Sequence, residues 1–186
     1  MVNELNNVTK EEEIQDYEIS EISDVTYNGQ EQKPYPLLID EEGNLLSKED
    51  YTVEYRNNIN AGTAEVIIKI KSTGQVIVKE FTIKKRDVKI YIQKYSCTWQ
   101  DPIPEFSYTT EGLINPDDLK LVRFLLDGEE VPPVTNMPVG AYTISIEFEP
   151  NENYNLIIYP GVLTVTASPV PGNSTTPTPV NGDRDF

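Results

Sequence analysis

The chain has 186 residues, 31 acidic and 15 basic, with no histidine, one cysteine and a formal net charge of −16. Such a surface repels the phosphate backbone of nucleic acids and anionic lipid heads, which speaks against both as partners. Without histidine the commonest general base and zinc ligand are missing; Cys97 has neither a disulfide partner nor an imidazole to activate it, and reads as a small apolar core residue.

No run approaches the roughly 18 apolar residues of a membrane span, so no membrane insertion is expected. Residues 1–16 are polar, with Lys10-Glu11-Glu12-Glu13 where a signal peptide would be apolar, and read as a leader or linker. From Tyr17 to Ile83 the pattern is strand, turn, strand. Tyr17 to Ile22 alternates, Asn28-Gly29 signals a turn, and Lys33-Pro34-Tyr35-Pro36 suits an edge strand. Leu37 to Asp40 meets a turn at Glu41-Glu42-Gly43-Asn44. Tyr51, Val53 and Tyr55 alternate with polar residues, Asn57 to Gly62 is a loop, and Val66, Ile68 and Ile70 mark a long strand. After Thr73-Gly74 a last strand runs from Val76 to Ile83, making six or seven strands in this unit. Lys84-Lys85-Arg86 reads as a solvated joint.

A second unit begins at Val88 and ends near Thr166. Phe106 to Thr109 is a strand. Asn115-Pro116-Asp117-Asp118-Leu119 has the cap, proline and carboxylates of a helix start, with room for a turn or two. Leu121 to Leu126 is a strand ended by the Asp127-Gly128 turn. Tyr142, Ile144, Ile146 and Phe148 face one way and Ala141, Thr143, Ser145 and Glu147 the other, a half-buried strand. Strands at 155–159 and 162–166 flank Pro160-Gly161, where a bulge or kink is expected. Residues 168–186, rich in proline, serine and threonine, read as an extended linker. The fold class is therefore mainly β, in two tandem small modules: 17–85 and 86–167, the second carrying one short helical turn.

The first module resembles the immunoglobulin-like repeats of Gram-positive surface proteins, over about residues 17–84. Tyr27-Asn28-Gly29, Glu49 to Tyr55, Asn57 to Ala64 and Phe81-Thr82-Ile83 carry the likeness, which implies a β-sandwich. The second, about 87–166, resembles the MBG domain found in tandem in bacterial surface and adhesin-like proteins. Thr98 to Tyr108, Thr110 to Leu119, Val139 to Ile144, Asn153 to Leu156 and Gly161 to Val165 follow its pattern, and imply a small β-sheet domain, β-grasp-like or sandwich. The family has Tyr-Gly where this chain has Trp99-Gln100, and a glycine there takes a positive φ more readily than Gln100.

Few residues suggest chemistry. The acidic pairs at Asp40-Glu41-Glu42, Asp117-Asp118 and Glu129-Glu130 stand in turns or at a helix start, where acids are ordinary, and are poor glycosidase candidates. Asp40 to Asn44 is the nearest approach to a calcium loop, but a plain hairpin turn accounts for it better. No catalytic residue, cofactor or metal ligand is assigned. Trp99, Tyr95 and Tyr108 could form an aromatic platform for a sugar; Trp99 plugging the core beneath its turn is the favoured alternative. The expected function is a non-catalytic spacer of a bacterial cell-surface or adhesin-like protein, with export signal and anchor outside this sequence and neighbouring modules of the same chain as partners. The alternatives are a module binding a glycan or host protein, and an accessory domain of a larger secreted enzyme.

Overall fold

A computed structural model describes residues 16–114, 117–133 and 137–169. The leader (1–15), Asn115-Pro116 of the expected helix start, and the proline-rich segment from residue 170 on lie outside the described residues. Fourteen strands and no helix are found among them. Of the expected helical turn, the described residues Asp117 to Leu119 form no helix, and Asp117 N donates to Ile114 O at 2.7 Å.

The N-terminal module holds β1 (Glu18–Ile19), β2 (Val25–Thr26), β3 (Leu38–Ile39), β4 (Tyr51–Arg56), β5 (Gly62–Ile70) and β6 (Val76–Lys84). β1 and β3 make a two-stranded sheet; the other four run in the order β2-β6-β5-β4. The alternation of β5 does what its spacing dictates. Ala64, Val66, Ile68 and Ile70 are fully buried, and Leu38 and Phe81 belong to the same core. The Lys33-Pro34-Tyr35-Pro36 stretch is not a strand. Its prolines have no N–H to offer a ladder, and its carbonyls are taken by side chains instead: Tyr55 Oη donates to Pro34 O and Tyr51 Oη to Pro36 O, both at 3.0 Å.

The C-terminal module holds β7 (Arg86–Ile92), β8 (Tyr95–Thr98), β9 (Tyr108–Glu111), β10 (Leu121–Leu126), β11 (Glu129–Glu130), β12 (Gly140–Phe148), β13 (Tyr154–Tyr159) and β14 (Gly161–Thr166). They form a five-stranded sheet, β11-β10-β12-β14-β8, and a three-stranded one, β13-β7-β9. The Asp127-Gly128 hairpin forms as read, with both residues at positive φ (47° and 87°), the signature of a type I′ turn.

The break at Pro160-Gly161 is more than a kink. β13 runs parallel to β7 with Tyr154 facing Arg86, and β14 runs parallel to β8 with Leu163 facing Tyr95. The offset of 68 positions is the same in both, so two chain segments travel side by side and cross together from one sheet to the other. Gly161 sits at the crossing. A Cβ on it would lie 2.3 Å from Gln93 O, so only glycine fits.

Among the described residues no strand pairing joins the two modules. Their buried residues nevertheless form one continuous cluster. Tyr27 and Tyr154, one from each set of strands, are in ring contact within it.

Candidate functional site

Two places in the molecule concentrate unusual geometry: the aromatic region around the Trp99 turn, and the joint between the modules.

The 98–101 turn is closed by Asp101 N donating to Thr98 O at 2.9 Å, and Gln100, at its third position, has φ 75°. A turn of this kind favours glycine there. Gln100→Gly is therefore expected to stabilise the fold by about 1 kcal/mol, measured by urea denaturation, since the left-handed conformation strains any residue with a Cβ.

Trp99 does not plug the core. It is 41% exposed, held through its backbone: its N–H donates to Thr166 O at 2.7 Å and its carbonyl accepts from Ser168 Oγ at 3.3 Å. Tyr95 and Tyr108 belong instead to a ladder of rings. Tyr95 lies 5.2 Å from Phe106, Phe106 lies 5.7 Å from Phe124, and Tyr108 packs on both Phe124 and Phe148. Trp99 takes part in none of these pairs. The structure thus links two of the three expected platform residues through phenylalanines that the sequence reading did not single out. Tyr95 Oη also accepts from Ser107 N at 2.8 Å, which pins the start of β9.

Beside these rings lies an open groove of about 830 Å3, between Ile103, Pro104 and Phe106 on one wall and Phe124, Val131 and Pro132 on the other. Its one guanidinium is engaged: Arg123 Nε donates to Glu147 at 2.7 Å and Nη1 to Glu130 at 2.5 Å. Cys97 is half-buried against the core, and burial pushes its thiol above the ordinary value, the opposite of an activated nucleophile.

The acidic clusters are occupied by local structure. Asp40 Oδ1 accepts from Asn44 N at 2.7 Å, which holds its carboxyl below the usual range. Glu130 pairs with Arg123. Among the described residues no group of three or more His, Cys, Asp or Glu side chains could hold a metal ion. No helix of the described residues is long and apolar enough to cross a membrane.

Asp117 is used quite differently. Its Oδ2 accepts from Tyr27 Oη of the N-terminal module at 2.7 Å and from Tyr154 Oη of the C-terminal one. The two rings meet edge to face at 5.4 Å and are nearly inaccessible. Tyr154 Oη additionally accepts from Ile114 N at 3.2 Å. A second bridge lies alongside: Asn153 Oδ1 accepts from Ala61 N at 2.8 Å, its Nδ2 donates to Asn60 Oδ1 at 3.3 Å, and its carbonyl accepts from Arg86 N at 2.9 Å. Gly29, at φ 76°, lies so near Ile114 that a Cβ would sit 3.0 Å from its Cγ2.

Burial, and then the Asp117 carboxylate, raise both joint phenols above their ordinary value of 10.0. A raised tyrosine contributes stability fully below the unfolded value and loses it as pH rises through the folded one. Thermal stability is therefore expected to fall above about pH 10, and less steeply in a Tyr27→Phe/Tyr154→Phe double variant; equal slopes in the two melting series would refute the assignment.

Residues 88–164 match the family model of the MBG domain (YGX type). The matched span lies within the second module as read from sequence. No curated protein matches the chain. Among solved structures, the chain is similar to the crystal structure of domains 4 and 5 of the S-layer protein SbsC, at 15% identity and a TM-score of 0.27, over 82% of this chain and 98% of that one. It is also similar to the fibronectin(III)-like modules of Clostridium thermocellum CbhA, at 14% identity and a TM-score of 0.29, over 82% and 95%. Within the matched span, Ile114, Asp117, Asn153 and Tyr154 contribute to the joint. Its Trp99-Gln100 stands where the family has Tyr-Gly.

Proposed function

We propose that this chain is a non-catalytic structural pair of modules, spanning 17–85 and 86–167, that spaces and orients its neighbours in a bacterial cell-surface protein. The joint carries this reading. A carboxylate that takes a phenol from each module, inside a contact of two buried rings, fixes their relative direction. A flexible tether needs no such contact. The immunoglobulin-like reading of the first module belongs to this proposal, supported by its two β-sheets and the Tyr27-Asn28-Gly29 turn. So does the extracellular location, supported by the MBG match of the second. Residual dipolar couplings test the proposal: one alignment tensor should fit both modules in the wild type and two should be needed in Asp117→Ala. Two tensors in the wild type would overturn it.

A second reading, a module holding a glycan or host protein, is favoured by the groove beside Phe106 and Phe124 and by the exposed ring of Trp99. A glycan array signal lost in both Trp99→Ala and Phe124→Ala would select it.

A further inference from the structure

The long strand β6 is paired along one side only. Toward β5 the register runs unbroken from Val76 to Ile83, whereas on the other side β2 meets only Ile83 and Lys84. Antiparallel ladders alternate the direction of successive peptide groups. At the hairpin end Ile70 N donates to Gln75 O at 2.9 Å, which sets the phase: Ile77, Lys79 and Phe81 bond inward to β5, and Val76, Val78, Glu80 and Thr82 point outward. Two bonds on the outer side obey that phase. Thr82 N donates to Asp24 Oδ1 at 3.3 Å, and Lys84 O accepts from Tyr27 N at 2.9 Å. This leaves the outward N–H and C=O groups of Val76, Val78 and Glu80 without a partner among the described residues. The side chains of Val76 and Val78 are 56% and 52% exposed. Neither a proline nor a bulge guards this edge, and such an edge is a template for another strand.

Charge selects the occupant. In the β5–β6 register Lys69 faces Val76, and Glu65 faces Glu80, like against like. Neither Lys69 nor Glu80 has an ion-pair partner among the described residues. A second β6 laid antiparallel with Val78 on the two-fold axis places Glu80 of each copy opposite Val76 of the other. Each Glu80 then lies one strand away from the other copy's Lys69, roughly 10 Å between backbones, which the two side chains together span. The segment from Val76 to Thr82 carries one lysine and one glutamate, so it is locally neutral in a chain of net charge −16.

We propose that β6 is a homodimerisation edge: two copies pair antiparallel about Val78, joining two four-stranded sheets into one continuous sheet. The outward groups of Val76, Val78 and Glu80 exchange about six hydrogen bonds across the axis. The pairing ends on each copy where β2 begins. This interface is independent of the joint between the modules and of the spacer reading.

Sedimentation equilibrium of the full chain from about 1 μM to about 1 mM tests it, together with amide exchange. The expected result is a reversible dimer, with exchange at Val76, Val78 and Glu80 slowing as concentration rises while Ile77 and Lys79 stay protected throughout. Val78→Pro removes the central outward donor without breaking a bond to β5, and Val78→Lys sets two ammonium groups against each other on the axis. Both are expected to remain monomeric and folded. Glu80→Lys should weaken the dimer about fivefold, and Lys69→Glu/Glu80→Lys should restore it. A wild-type monomer across the range, a dimer unaffected by both Val78 variants, or a charge swap that fails to restore association would overturn the proposal. So would protection of the three amides that does not depend on concentration, which would put a segment of the same chain on the edge.

Discussion

Gly161→Ala is expected to destabilise the protein by about 3 kcal/mol, near the top of the range for an overpacked site. The added methyl would meet Gln93 O at 2.3 Å and Ile92 Cγ2 at 2.8 Å. The first obstacle is backbone, and it belongs to the neighbouring segment at the point where both segments change sheet. Neither can retreat without breaking the parallel pairings on either side of the crossing. Gly140→Ala is the matched control. It also lies in a long-strand context, but its nearest non-neighbouring atoms, all from the Tyr142 ring, begin at 3.7 Å. Urea denaturation should show a clear drop in midpoint for the first variant and a change within about 0.5 kcal/mol for the second. Equal midpoints would mean that the crossing is looser than the geometry states.

Asp117→Ala is expected to cost a similar amount, about 3 kcal/mol, for a different reason. The change removes little apolar contact but leaves two buried phenol hydroxyls without their acceptor, each worth about 1–3 kcal/mol when orphaned. Asp117→Asn keeps a carbonyl oxygen at the same place and should lose less. Chemical denaturation of the three proteins, read alongside the alignment measurement, separates a loss of stability from a loss of inter-module order. An Asp117→Ala protein as stable as wild type would show that the carboxylate does not hold the joint.

Much of the secondary structure could be read from local pattern. β5 and β12 announce themselves by alternation, and the Asp127-Gly128 hairpin by two residues that tolerate positive φ. What escaped was set by partners far away in sequence. β8 has no clear alternation of its own and exists because β14 lies beside it. β1 and β3 have two residues each, too few to carry a pattern. The proline segment before β3 looked like an edge strand because extended backbone and strand share dihedrals; only the tyrosines that bond its carbonyls tell them apart. The positive φ at Gln100 is likewise one that glutamine does not advertise.

The joint is the instructive case. Tyr27-Asn28-Gly29, Asn60-Ala61, the segment from Gly112 to Leu119, and Asn153-Tyr154 each carried a family resemblance when read singly. The structure brings all four to one place. In the sequence Tyr27 stood only beside a glycine turn. That it donates to a carboxylate 90 residues away is a tertiary fact with no local signal in the sequence.

The parallel run of β7-β8 beside β13-β14 has a mechanical consequence. Tension applied between Arg86 and Thr166 pulls one of the two segments backward and the other forward along their common axis. Their hydrogen bonds are then loaded in shear, all at once, instead of being peeled open one after another. Rupture under force is governed by the unfolding barrier, and this arrangement raises that barrier for a pull between those two ends.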